Sequence, residues 1–267
     1  MTTTIAITSG KGGVGKTTIA VNLALSFALQ NKETLLLDAD LGMANAHILL
    51  GINPSYSLED FVNGNSSLDK VITTTKPNLK FVSGGNAINN LLNLSDLERH
   101  KIIKSFNDLN KKPQFMLIDV GAGAEASSMT FMASANKVIV VITGEPTSFI
   151  DAYTLIKTSF LDYKMSNFGI IVNMASSPMQ AKLNFDKFQS ITQKFLDVNL
   201  KYVGHIPNSQ KVRNSIISRT AVVSSNNNLE TKAFNEISSK LSLVETNNTG
   251  TIKFFDNWYI LWKHLNE

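Results

Sequence analysis

The sequence contains no cysteine among its 267 residues. This absence excludes disulfide scaffolds, thiolate-bound zinc, iron–sulfur clusters held by thiolates, and cysteine nucleophiles. A chain without thiols also suits a reducing compartment.

Long apolar runs and a strong charge of one sign are absent as well. The run Val138–Ile142 has the length of a strand, far below the ~18 apolar residues of a membrane span. The first residues lack the basic start and apolar middle of a secretory signal. The net charge of +4 is too weak to indicate a nucleic-acid binder, and 43% hydrophobic residues exclude a disordered chain. We therefore expect a soluble, cytoplasmic protein.

Short apolar or β-branched runs recur along the chain, and longer helical patterns such as Thr17–Leu29 separate them. Continuous apolar strands that alternate with helices indicate a parallel sheet covered on both faces. We predict a single α/β domain with a mostly parallel, twisted sheet. The predicted strands are Ile5–Thr8, Leu35–Leu37, Leu79–Val82, Phe115–Ile118, Val138–Ile142, Gly169–Val172 and Tyr202–Val203.

A glycine-rich segment follows the first predicted strand and precedes the first helix. It fits the pattern G-x-x-x-x-G-K-[ST], in the strand-to-helix context that the pattern requires. Its glycines let backbone N–H groups converge on phosphate oxygens, and the helix start adds a positive dipole end. Lys16 can reach the β- and γ-phosphates, and the Thr17 hydroxyl can bind Mg²⁺. The alternative is a glycine-rich turn with an incidental lysine. The predicted nucleotide-binding residues here are Gly10, Lys11, Gly12, Gly13, Val14, Gly15, Lys16, Thr17 and Thr18.

The segment Gly10–Thr18 resembles the deviant Walker A motif of the MinD/ParA-type ATPases, which are P-loop NTPases. In that family two subunits sandwich two ATP molecules, and an early lysine reaches the partner's phosphates. The resemblance implies that Lys11 stabilises transition-state charge in trans and that ATP closes a homodimer. By itself, Lys11 could equally be a solvated loop lysine.

Three aspartates follow predicted strands. Asp38 and Asp40 follow the strand Leu35–Leu37, and their spacing of two residues puts both side chains on the same side of the chain. Asp119 directly follows the strand Phe115–Ile118. Carboxylates beside a polyanion require a cation such as Mg²⁺ between them. The resemblance assigns Asp40 to the attacking water and Asp38 and Asp119, with Thr17, to the magnesium shell. The alternatives are a helix N-cap for one of the pair and a common strand-ending aspartate for Asp119.

Asn173 follows the strand Gly169–Val172, and Pro207 lies in Gly-His-Ile-Pro. An amide both donates to and accepts from an adenine edge, whereas an asparagine in a turn is equally common. The family resemblance assigns both residues to the adenine of ATP. Lys11, Lys16 and Asp40 are the expected catalytic residues, and ATP and Mg²⁺ are the expected cofactors.

Within the family, three stretches resemble the flagellar-number regulators (the FlhG group, also called FleN or YlxH). They are Asp38–Asn45, Asp119–Gly123 and Glu145–Tyr153, and His47 and Val120 depart from the group's pattern. The resemblance implies control of flagellar number or placement, with a flagellar regulator or a signal-recognition-type GTPase, FlhF, as partner. The N-terminal extension by which many such regulators stimulate that GTPase is not visible, which leaves this stimulation open.

The predicted ATPase domain comprises residues 1–246, and a distinct amphipathic tail comprises residues 251–267. Five aromatic residues lie in the tail, including both tryptophans of the chain. The tail resembles the membrane-targeting helix that ends MinD-like proteins, but its charge is balanced rather than basic. Reversible membrane association and docking onto the domain, a dimer face or a partner therefore both stay open.

Two alternatives to a slow, ATP-timed switch remain. One is a division-site or DNA-partition ATPase, since a basic stretch could attract DNA. We interpret that stretch as a solvated helix face and do not expect a nucleic-acid partner; its residues are Lys201, Lys211, Arg213 and Arg219. The other is a scaffold that binds nucleotide without hydrolysing it. A redox reductase of the nitrogenase iron-protein kind is excluded because its shared cluster needs cysteines.

Overall fold

Strand β1 (Thr3–Thr8) lies inside an eight-stranded sheet. The computed structural model describes residues 2–40, 45–76, 78–85, 104–106, 112–224, 228–243 and 257. The other strands are β2 (Thr34–Ala39), β3 (Thr73–Lys76), β4 (Leu79–Ser83), β5 (Phe115–Val120), β6 (Lys137–Ile142), β7 (Asn167–Ala175) and β8 (Asn199–Pro207).

The strand order across the sheet is β3, β4, β2, β5, β1, β6, β7, β8. Every neighbouring pair is parallel except β3 and β4, which form an antiparallel pair at one edge. Strand β1 pairs with both β5 and β6, and Asp38 of β2 lies opposite Asp119 of β5. Because parallel strands end at the same edge, their polar ends meet at one rim.

Helices cover both faces of the sheet. They are α1 (Lys16–Leu29), α2 (Ala46–Leu49), α3 (Leu58–Val62), α4 (Leu68–Val71), α5 (Ala126–Ser134), α6 (Pro146–Tyr163), α7 (Pro178–Gln193), α8 (Gln210–Ile217) and α9 (Leu229–Ser242), with a 3₁₀ turn at Val222–Ser224. Side chains of α5, α6 and α7 share one buried cluster, and those of α1 and α9 share the other. Ile5 and Ile7 face the second cluster whereas Ala6 faces the first, as strand alternation requires.

The predicted α/β class, with a mostly parallel sheet between two helical layers, is confirmed. Each predicted strand lies within an observed one. Strand β3 was missed because Thr73–Lys76 carries no apolar run and only alternates between half-buried and exposed positions at the sheet edge. Among the described residues, no helix is long and apolar enough to cross a membrane.

Some predictions concern segments outside the described residues. These include part of the FlhG-like stretch after Asp40, at 41–44, and almost all of the predicted tail. Within the predicted tail, the structure describes Asn257 alone. This residue is exposed, and its side-chain amide nitrogen lies 3.5 Å from the carbonyl oxygen of Ser134. The boundary between domain and tail, and the tail's binding mode, stay predictions.

Candidate active site

The loop between β1 and α1 is shaped by glycines with two different tasks. Gly13 and Gly15 have positive φ values of 81° and 88°, a backbone conformation that favours glycine. Gly10 has another role, because a Cβ built there would lie 2.1 Å from the backbone carbonyl carbon of Asp151 in α6. A Cβ at Gly12 would meet nothing within 4 Å. Curling of the loop therefore depends on Gly13 and Gly15, and close packing against α6 depends on Gly10.

Lys16, the first residue of α1, lies between carboxylates from two strand ends. Its Nζ donates to Asp40 Oδ2 at 2.8 Å and to Asp119 Oδ1 at 2.9 Å. Burial lowers the pKa of Lys16, but the two carboxylates outweigh burial and raise it overall. The ammonium thus stays charged in a buried position, with its charge directed at the rim where β2 and β5 end.

Asp119 is fully buried and has one unsatisfied oxygen. Among the described residues its Oδ2 has no hydrogen-bond partner. Burial raises the pKa of Asp119, while the Lys16 ammonium and the Thr17 hydroxyl oppose that rise. A buried carboxylate oxygen without a partner needs a cation or a bound water. Together with the Thr17 hydroxyl it makes an oxygen-rich donor set that suits Mg²⁺.

Asp38 is buried and accepts from two described backbone N–H groups after β2. Its Oδ1 accepts from the backbone N–H of Asp40 at 3.3 Å, and its Oδ2 accepts from that of Ala46 at 3.1 Å. Burial, and next the charge of Asp119, raise the pKa of Asp38 to about 7. Ala46 begins α2, whose N-cap residue is Asn45, so Asp38 accepts from the first N–H of the helix without being its N-cap. A place for Asp38 in the magnesium shell stays a prediction.

A cavity of about 460 Å³ opens above Lys16. Gly12, Gly13, Gly15, Thr17 and Thr18 line it, together with Asp40. Asp38 and Asp119 are not among its lining residues. Asn45, Glu125 and Ser128 also line the cavity and were not identified from the sequence, because no motif marks them. No group of three or more His, Cys, Asp or Glu residues is arranged to hold a metal within the described part of the chain.

Lys11 is directed away from this cavity. Its Nζ donates to Glu145 Oε2 at 2.7 Å and to Thr147 Oγ1 at 2.8 Å, at the start of α6. Lys11 does not line the phosphate cavity of its own chain. The contact with Glu145 and Thr147 was not predicted, although both residues lie in a stretch that was singled out.

A smaller pocket of about 60 Å³ adjoins the loop and shares Gly15 and Thr18 with the first cavity. Asn173 and Pro207 both line it, so the structure brings the two predicted base-binding residues together. Asn173 Nδ2 donates to the carbonyl of Val14 at 2.6 Å, which ties the pocket to the phosphate loop. Other lining residues, not predicted to bind the base, are Met174, Asn208, Ser209, Val212, Arg213 and Ile216.

A glycine loop at the end of β1, a buried lysine and strand-end carboxylates define a P-loop nucleotide-binding protein. A family model described as "ParA: NUBPL iron-transfer P-loop NTPase" matches residues 1–242. The chain belongs to this ParA/MinD family of P-loop ATPases. It has no thiolates to hold an iron–sulfur cluster, because it lacks cysteine.

The relatives include two flagellar proteins. The chain is 38% identical to the antiactivator FleN of Pseudomonas aeruginosa over 218 residues, 82% of this chain and 78% of that protein. It is 28% identical to the flagellum site-determining protein YlxH of Helicobacter pylori over 216 residues, 80% and 73% of the two chains. The predicted resemblance to the FlhG group is confirmed.

The fold is similar to that of a solved structure, the septum site-determining protein MinD complexed with Mg-ADP from Pyrococcus horikoshii. The TM-score is 0.71 at 23% identity, and the similarity covers 91% of this chain and 97% of that one. At this identity the likeness shows the fold.

Proposed function

We propose that this chain is a Mg²⁺-dependent ATPase that hydrolyses ATP slowly to ADP and phosphate. The observation that carries this proposal is the convergence of Lys16, Asp40 and Asp119 beneath a cavity lined by the glycine loop. The backbone amides of the loop and the N-terminus of α1 bind phosphate oxygens, and Lys16 neutralises their charge.

The residues present fit a magnesium ion. Thr17 would hold it through its hydroxyl, and Asp119, with Asp38, would hold it through water, as the unsatisfied Asp119 Oδ2 suggests. The ion would neutralise charge on the phosphates. Asp40 lines the cavity and orients the attacking water as a general base. Asn173 and Pro207 hold the adenine.

Phosphate release from ATP tests this proposal. The wild type should release phosphate only with Mg²⁺, Lys16→Ala should lose both binding and release, and Asp40→Ala should bind ATP without releasing phosphate. Asp162→Ala and Lys157→Ala, at exposed positions of α6, are the matched controls. Binding without release in the wild type would favour the scaffold hypothesis.

We also propose that ATP closes a homodimer in which Lys11 serves the partner's site. The contacts of Lys11 with Glu145 and Thr147 support this, because they hold the ammonium outside its own phosphate cavity at a partly exposed surface. Hydrolysis then opens the dimer, so that the two states differ in affinity for partners.

Light scattering tests the dimer. In Mg²⁺ and ATP, the Asp40→Ala variant should have twice the molar mass that it has in Mg²⁺ and ADP. Adding Lys11→Ala to this variant should leave it monomeric with either nucleotide. Equal masses in ATP and ADP would contradict the proposed switch.

We propose further that the switch controls flagellar number or placement, with a flagellar regulator or the GTPase FlhF as partner. The similarity to FleN and YlxH supports this role. Expression in a bacterium that lacks its FleN-type protein should restore the normal flagellar count in electron micrographs. Lys16→Ala should not restore it, and a wild type that fails equally would contradict the role.

The protein would act in the cytoplasm and associate reversibly with membrane through residues 251–267. The position and amphipathic pattern of that tail support this proposal. Sedimentation with anionic liposomes should increase with ATP in the full chain and not in a chain ending at residue 250. Equal sedimentation of the two chains would contradict it.

A further inference from the structure

A buried carboxylate far from the phosphate loop in sequence contacts a residue that lines the proposed base pocket. Glu230, in the first turn of α9, is 6% exposed. Its Oε1 accepts a hydrogen bond from the hydroxyl of Ser209. Its Oε2 is buried without a hydrogen-bond partner among the described residues. The N-terminus of α9 compensates the charge of this buried carboxylate, and Ser209 is the side chain that hydrogen-bonds to it.

The carboxylate is charged. Burial raises the pKa of Glu230, but the Ser209 hydroxyl, the backbone N–H of Glu230 itself and the charge of Lys211 outweigh burial and hold the pKa below its ordinary value. A charged acceptor fixes the direction of the Ser209 O–H more firmly than a neutral one does.

Ser209 connects this carboxylate to the wall of the base pocket. It lines that pocket beside Pro207 and Asn208. Its Oγ also accepts from the backbone N–H of Lys211 at 3.1 Å and so caps α8. Because the Ser209 proton goes to Glu230, a lone pair of the same oxygen is left for the helix cap. One hydrogen bond from Ser209 to α9 therefore fixes both the turn and the start of α8.

The turn Pro207–Ser209 is held from two other sides. The backbone N–H of Asn208 donates to the carbonyl of Ala175 at 2.9 Å, and Arg213 Nη2 donates to Asn208 Oδ1 at 3.1 Å. Both contacts come from elements that line the pocket themselves, whereas Glu230 does not line it. Glu230 thus ties the pocket wall to α9, which packs on β8 and α1 in the core.

We propose that Glu230 is a positioning residue for adenine: through Ser209 it fixes the pocket wall that contacts the base of ATP. This inference rests on the proposed function, since it adds a residue to the proposed ATP site. Glu230 touches no part of the phosphate cavity, so its effect is confined to the base end of the nucleotide.

Calorimetric titration with two ligands, Mg-ATP and inorganic tripolyphosphate with Mg²⁺, tests the proposal. Glu230→Met removes the acceptor and keeps the volume, so ATP should bind roughly tenfold more weakly while tripolyphosphate binds as to the wild type. Glu230→Gln keeps a carbonyl acceptor for Ser209 and should restore most of the affinity. Glu236→Met, at an exposed position of the same helix, is the matched control.

A second variant approaches the contact from the other side. Ser209→Ala should weaken ATP binding to a similar extent, and the double variant with Glu230→Met should be no weaker than the weaker single one. This variant also carries the test if Glu230→Met does not fold. Equal losses for ATP and tripolyphosphate, additive losses, or no loss of ATP affinity would overturn the inference. A wild type that binds tripolyphosphate but not ATP would instead contradict the proposed function.

Discussion

The two ends of the proposed nucleotide site are built differently. The phosphate end consists of charged groups at neighbouring strand ends, where Lys16 contacts Asp40 and Asp119. The proposed base end is lined by Asn173, Pro207 and residues of α8, and Arg213 is the charged residue among them. The phosphate end is made by one contiguous loop and two strands, whereas the base end depends on how separate helices pack.

Different forces would bind the two parts of the nucleotide. Phosphates carry charge, so backbone amides, a helix dipole and a buried lysine suffice to bind them without close shape complementarity. Adenine is neutral, so its pocket depends on precisely placed amide and wall groups. Gly15 and Thr18 line both pockets and join the two ends.

The largest expected effect comes from removing charge at the phosphate end. Lys16→Ala leaves buried carboxylates without their cation and should lower the free energy of unfolding by about 3 kcal/mol. ATP binding should fall below detection. Urea denaturation and calorimetry measure the two effects, with Lys157→Ala as control. Wild-type stability in Lys16→Ala would contradict the compensating role of this lysine.

The loop glycines offer the next largest effect. Gly10→Ala places a methyl group against the backbone of α6, and should cost about 2 kcal/mol of stability by overpacking. Gly12→Ala, two residues away in the same loop, should unfold like the wild type because nothing lies within 4 Å of the added methyl group. Thermal melts without nucleotide compare the two. Equal melting temperatures would show that α6 yields to the methyl group.

Asn173 lines the proposed base pocket and also contacts the loop. Asn173→Ala removes a hydrogen bond to the Val14 carbonyl, worth about 1 kcal/mol, as well as the proposed contact with the base. Tripolyphosphate should therefore bind a few-fold more weakly and ATP more weakly still, unlike the pattern expected for Glu230→Met. A variant with unchanged tripolyphosphate affinity would mean that Asn173 does not support the loop.

Lys137 lies at the start of β6, at the opposite ends of the strands from the nucleotide site, and its effect depends on pH. Burial, and next the charge of Lys201, lower its pKa to about 8 from the ordinary 10.5. Between these two pKa values the unfolded chain binds more protons, so stability should rise with pH. The stability difference between the wild type and Lys137→Met should therefore grow in favour of the wild type across this window. Urea titrations at several pH values measure the stability of both proteins. A stability difference that stays constant with pH would contradict the lowered pKa of Lys137.

The sequence marks the residues of the phosphate end clearly because they belong to local patterns. A glycine pattern, a following helix and aspartates after apolar strands are contiguous in the chain. The structure brings Asn173 and Pro207 together as the resemblance implied. The Lys11 contacts with Glu145 and Thr147, and the bond between Ser209 and Glu230, join residues far apart in sequence. Their pairing follows from helix packing, for which no local pattern is a signal.

Mixing two inactive variants tests most directly the central claim that two subunits share each site. Lys11→Ala keeps Asp40, and Asp40→Ala keeps Lys11, so each alone should release almost no phosphate. In an equimolar mixture, dimers that combine the two variants hold one complete site, and release should rise well above the sum of the two separate variants. A mixture no more active than the sum of its parts would contradict the account.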